Sequence, residues 1–301
     1  MDTPTPTTSA AVHGLVSTVS EGRVLFVILR DGKSTVSMID GNTLDRVVSN
    51  PAEQLFHATW ASPTDIVFDG RRGGPRHLYR MSLETGEVVQ LTDGHGAQSK
   101  AGISPDGSLM VYDHYDPKTG RDLGLQVADA RDGSGARSLL PPAEVGSTVE
   151  NSDAQFSPDG GWIAFTRVAG STGDTAFFVV RTDGTGLRRL TDGSLHAGRP
   201  RWSPDGSQIL FSQGNEYGPL GGPLWIVPFS GGEPRPLTDH VGDEAAFEAD
   251  WSPDGTQIVF KYWDPTMANN ELRIVNADGT GEHVLWIGRP GETAETPDWG
   301  P

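Results

Sequence analysis

A large apolar residue followed by Ser-Pro-Asp-Gly occurs four times, at Ile103–Gly107, Phe156–Gly160, Trp202–Gly206 and Trp251–Gly255. The phrase specifies a turn. Pro sets φ near −65° at the second position, Asp can accept from the amide two residues on, and Gly takes a positive φ without steric cost. An alternating apolar stretch follows each copy: Leu109–Tyr112, Trp162–Phe165, Gln208–Phe211 and Gln257–Phe260. Each copy therefore marks a β-hairpin, and a hairpin written at a fixed interval restricts the chain to a repeat architecture.

Two degenerate copies, Trp60 to Asp65 and Asp298 to Pro301, extend the series to six anchors: Trp60, Ile103, Phe156, Trp202, Trp251 and Trp299. Their spacings are 43, 53, 46, 49 and 48 residues. A period of about 40–50 residues with several strands per unit predicts an all-β, six-bladed β-propeller of four-stranded antiparallel blades. The first unit, Gly22 to Val48, lacks an anchor strand, whereas the last anchor has nothing after it. Pairing Ala294 to Trp299 with Val24 to Leu29 closes the ring through the C-terminal strand and removes an open edge.

The W-S-P-D-G and L-T-D-G repeats resemble the TolB-type, PD40 (WD40-like) family of six-bladed propellers, over about residues 15–301. The motif speaks for the fold and hardly for function, because its residues build turns and inter-blade packing; the family resemblance implies docking of a protein or peptide. No G-x-S-x-G occurs, so the serine-hydrolase activity of some propeller-bearing enzymes has no support here. Residues 1–14 read as a flexible Pro/Thr-rich tail preceding a single propeller at 15–301, with no signal-peptide pattern. The compartment expected is the cytoplasm if the chain begins here naturally, and the periplasm or exterior if a signal has been removed.

The 301 residues carry a formal charge of −17, which disfavours nucleic acid and anionic membranes as partners. No apolar run reaches the ~18 residues of a spanning helix. Cysteine is absent, which excludes thiolate metal sites and Cys nucleophiles. A monomer is expected.

Tracing one blade puts the tight turns on one face and the longer irregular loops on the other, where function concentrates. One residue before each anchor stand Thr59, Gly102, Gln155, Arg201, Asp250 and Asp298; three before stand His57, Lys100, Asp153, Arg199, Glu248 and Thr296. These polar positions are expected to line the channel, since unpaired charge is costly between packed blades. Glu248, Asp250 and Asp298 fall in one arc that suits a hard divalent cation such as Ca²⁺; the competing arrangement neutralises them with Arg199 and Arg201. His57 and Asp153 are secondary candidates in the channel. Tyr115 and Trp263 begin equivalent Tyr-Asp-Pro and Trp-Asp-Pro loops and are candidate ligand walls. His95, His114, His196 and His240 are assigned to the long-loop face. The leading reading is a non-catalytic module binding a protein, peptide or small ligand across that face. The alternatives are a metal-dependent lyase, hydrolase or isomerase at the channel mouth, and a small-molecule or glycan receptor.

Overall fold

The computed structural model describes residues 13–49, 54–145, 149–169, 174–195, 198–213, 222–241, 244–264 and 270–301. They form six antiparallel sheets in a closed ring, numbered here as blades one to six along the chain. The innermost strands are Glu292–Gly300 (blade one), Gln54–Ser62, Ala97–Ile103, Val149–Phe156, Gly198–Trp202 and Ala245–Trp251 (blade six). No described helix is long and apolar enough to cross a membrane.

The repeated turn has the predicted build in every clear copy. Gly107, Gly160, Gly206 and Gly255 have φ between 68° and 72°. Their amides donate to the carbonyls of Ser104, Ser157, Ser203 and Ser252. Asp106, Asp159, Asp205 and Asp254 each accept from the amide two residues on, at 2.9–3.0 Å. The Ser hydroxyl in turn accepts from the first amide of the next strand, as Ser104 does from Leu109 at 2.8 Å. Three donors and three acceptors are thereby satisfied within one turn.

The core is not one central mass but six radial wedges, one between each pair of neighbouring blades. Each anchor fills the wedge towards the preceding blade: Trp60 between blades one and two, Phe156 between three and four, Trp202 between four and five. Trp251 does the same between five and six, and Trp299 between six and one. The centre is left to polar side chains.

Closure follows the expected register. Val24 lies opposite Trp299, Ile28 opposite Ala294 and Arg30 opposite Glu292. The tail boundary differs slightly from expectation: Gly14 and Leu15 pair with Ile287 and Trp286 as a fifth, outermost strand of blade six. Val19 then enters the wedge between blades six and one. An apolar residue and a free sheet edge gave this short segment somewhere to bind.

Candidate functional site at the channel mouth

In every blade the pairing of the innermost strand with the second strand slips at the residue three before the anchor. Such a bulge re-aims a side chain. Five of these residues, Lys100, Asp153, Arg199, Glu248 and Thr296, have φ of 50–56°. That region costs an L-residue roughly 1–2 kcal/mol, a strain that persists only where the surroundings over-determine it. The surroundings here are specific acceptors. The amide of His57 donates to Asp69 at 3.1 Å, that of Asp153 to Asp113 at 3.1 Å, and that of Glu248 to the Ser212 hydroxyl at 3.1 Å. The Thr296 amide donates to Glu248 at 2.6 Å.

The bulged residues border a cavity of about 700 Å³ to which all six blades contribute. Leu29, His114, Tyr115, Glu150 and Gln213 of its wall stand where their strands meet the long-loop face. Below it a chamber of about 30 Å³, enough for one water, is lined by Thr59, Gln155, Arg201 and Asp298. The channel thus has two tiers set by the two polar positions of each innermost strand.

Charge in the upper tier is paired, between neighbouring blades for Lys100 and Arg199 and within blade two for His57 and Arg76. Lys100 Nζ donates to Asp153 at 2.9 Å, and Arg199 lies 2.6 Å from Glu248. His57 Nδ1 is 2.8 Å from Asp69 Oδ1, and Arg76 is 3.3 Å from its Oδ2. Burial alone would raise the Asp153 carboxyl, but Lys100 and Arg199 outweigh it and hold the group below its usual range. Glu248 is likewise lowered against its burial, by Arg199 and Lys261. Asp113 goes the other way, pushed well up by burial despite Lys100, with Asp153 and Asp122 adding repulsion.

The lower tier is less well compensated. Arg201 Nε reaches only 3.7 Å from Asp250. Burial and then the charge of Asp298 push Asp250 up to about 7, against the Trp299 amide, which donates to it at 2.8 Å. Asp298, also raised by burial, accepts from the Thr59 hydroxyl at 2.8 Å and the Trp60 amide at 3.3 Å.

Of the expected site residues, His57, Tyr115, Asp153, Arg199 and Glu248 border the upper cavity. Arg201 and Asp298 line the lower chamber. The expected metal arc joins Glu248 to Asp250 and Asp298. Glu248 is drawn to Arg199 and the Thr296 amide, away from the tier that holds Asp250 and Asp298. Among the described residues no three His, Asp or Glu side chains are grouped to hold an ion. Trp263 does not border the cavity, so Tyr115 has no aromatic counterpart there from blade six's second strand. His114 borders the cavity with Nε2 3.1 Å from the His95 carbonyl. His240 does not; it is buried beside Thr238 and Glu282. His196 and most of the loops at 213–222 and 262–270 lie outside the described residues.

Sequence reasoning passed over Asp69, Asp113, Phe56 and Phe247. The two aspartates carried a usable signal: each follows an apolar run (Ile-Val-Phe, Met-Val-Tyr) where another apolar residue would complete a buried strand. A charge in that place has to hold something, and these hold the bulges.

No protein-family model matches the chain. A TolB homologue of Chlorobium luteolum is 29% identical over 151 residues, covering 49% of this chain and 31% of that protein. This chain therefore aligns with about a third of that relative's length. Among solved structures, TolB from Acinetobacter baumannii superposes with a TM-score of 0.74 at 21% identity, covering 93% of this chain and 67% of the other. A putative TolB from Agrobacterium tumefaciens gives 0.67 at 19% identity, covering 94% of this chain and all of the other. An oligogalacturonate lyase from Vibrio parahaemolyticus shares the fold at a TM-score of 0.59 and 16% identity, over 90% of this chain and 75% of its own.

Proposed function

Taking the chain as a TolB-like six-bladed β-propeller, we propose that it is a binding module whose channel mouth captures a short segment of a protein partner. The observation that carries this reading is the upper cavity of about 700 Å³ with walls from all six blades. Its volume is in the ~300–1,000 Å³ range of ligand pockets, room for a few side chains rather than a flat protein surface. Its polar groups are fixed in advance by bulges and inter-blade pairs, so a ligand would meet an ordered site and lose little to reorganisation.

The test is selection of short peptides from a random displayed library against the folded chain, followed by titration against rim variants. Leu29→Trp fills the mouth from an exposed rim position and leaves the wedges untouched. Selected peptides are expected to bind it at least about tenfold more weakly, a loss of ~1.4 kcal/mol. Unchanged affinity would show that the peptides bind elsewhere. The lyase fold-relative motivates one control: turnover of oligogalacturonate to an unsaturated product would replace this reading with an enzymatic one.

A further inference from the structure

We infer that the segment taken at the channel mouth is acidic, with carboxylates beside a large apolar residue, and that it lies over blades one and two; this rests on the binding reading above. The chain has 23 Lys and Arg against 40 Asp and Glu, yet this sector of the long-loop face is reversed in sign. Four exposed cations stand there. Arg30 and Lys33 flank the hairpin of blade one, Arg71 ends the second strand of blade two, and Arg289 lies in the link that enters blade one. The described carboxylates beside them are Asp31 and Glu292, and both already serve Arg30, at 3.6 and 3.5 Å. Glu292 also accepts from the Arg289 amide at 3.0 Å. Among the described residues, the side chains of Lys33, Arg71 and Arg289 meet no carboxylate.

Backbone pairing gathers these groups into one patch. Arg30 lies opposite Glu292 on one side and opposite Lys33 on the other. Ser34, the next residue, accepts the Leu55 amide on its hydroxyl at 2.5 Å, which ties blade one to blade two. There Gln54, beside Leu55, lies opposite Arg71. The Arg71 guanidinium is 5.9 Å from the centroid of Phe56, a residue of the cavity wall. Next to Arg30 stands Leu29, 39% exposed and also part of that wall. An apolar side chain laid over Leu29 removes exposed hydrocarbon from water, and its neighbours in sequence then fall among cations that hold nothing. A basic segment would meet charge of its own sign, whereas an acidic one forms pairs without breaking any. At physiological ionic strength the Debye length is about 8 Å, so carboxylates elsewhere on the molecule are screened and the local sign decides.

End-blocked, fluorescently labelled Gly-Glu-Leu-Glu-Gly would be titrated onto the full chain, beside the same peptide with Gln or Lys in place of both Glu. Exposed ion pairs contribute little singly, so the Glu peptide is expected to bind about fivefold to tenfold more tightly than the Gln peptide, and the Lys peptide more weakly than either. The combined variant Lys33→Gln/Arg71→Gln/Arg289→Gln should abolish that preference with unchanged circular dichroism, and the corresponding triple change to Glu should invert it. Arg235→Glu, at an exposed position on the outer edge of blade five, should leave it intact. Equal binding of the Glu and Gln peptides, tighter binding of the Lys peptide, or a preference that survives the triple change to Gln would overturn the acidic assignment. Library-selected peptides that Leu29→Trp weakens would in that event keep the binding reading standing. If neither these peptides nor any from the library binds, both fall.

Discussion

Trp202 and Trp251 show what one residue contributes to this fold. They are 8% and 6% exposed, each filling a wedge between blades, and Trp202 packs 4.8 Å from Phe229 while its Nε1 donates to the Gln155 carbonyl at 3.2 Å. Replacing either with Ala should cost about 3–5 kcal/mol, read from urea unfolding midpoints. A native protein whose indoles are freely quenched by acrylamide would contradict the packing. Asp250 supports a different forecast. Its folded pKa is about 7, above the ~4 of an unfolded aspartate, so the folded state holds the extra proton between those values. Stability from this group is therefore present below about pH 4 and declines as pH rises to about 7. Asp250→Asn stays neutral throughout, so its melting temperature should gain on the parent's across that window; a pH-independent difference would refute the assignment. Because Glu248 stands apart from Asp250 and Asp298, added Ca²⁺ or Mn²⁺ is expected to leave the parent's melting temperature unchanged. A clear rise with either ion would restore the metal arc.

At the scale of the element, the strand that joins the two ends carries the sharpest consequence. Deleting residues 294–301 removes the partner of Val24–Ile28 and takes Trp299 out of its wedge. The truncated chain should lose its cooperative melt by circular dichroism; full retention would mean that blade one stands on three strands. This closure was legible in the sequence because turns are built from residues with few conformational options: Pro, Asp and Gly at a regular interval leave little else to choose. The identity of the channel positions was legible too, since small residues separate them along each innermost strand. The geometry of those positions was not. Lys100, Arg199, Glu248 and Thr296 have no local preference for positive φ, and at three of the five bulges a partner on another strand captures the amide: Asp113 that of Asp153, Ser212 that of Glu248 and Glu248 that of Thr296. Strand alternation places Glu248, Asp250 and Asp298 on one side, and Glu248, two residues earlier on its strand than Asp250, falls one tier away and meets Arg199 there.

In the whole molecule, stability is distributed over six wedges that depend on one another through the ring. Linear repeat arrays can lose terminal units singly. A closed ring has no terminal unit, because blade one contains both ends of the propeller. Far-ultraviolet circular dichroism and tryptophan fluorescence should therefore report one coincident thermal transition, and separated midpoints would indicate blades unfolding independently. The shared first blade also sets a timetable for biosynthesis. The strand Arg23–Arg30 leaves the ribosome five blades ahead of its inner neighbour Glu292–Gly300. At about 5–20 residues per second, that edge waits roughly 13–50 s for its partner. Over that interval the nascent chain carries a Val-Leu-Phe-Val-Ile strand whose inner edge is unpaired, so it depends on whatever keeps nascent strands from pairing with one another until Glu292–Gly300 is made.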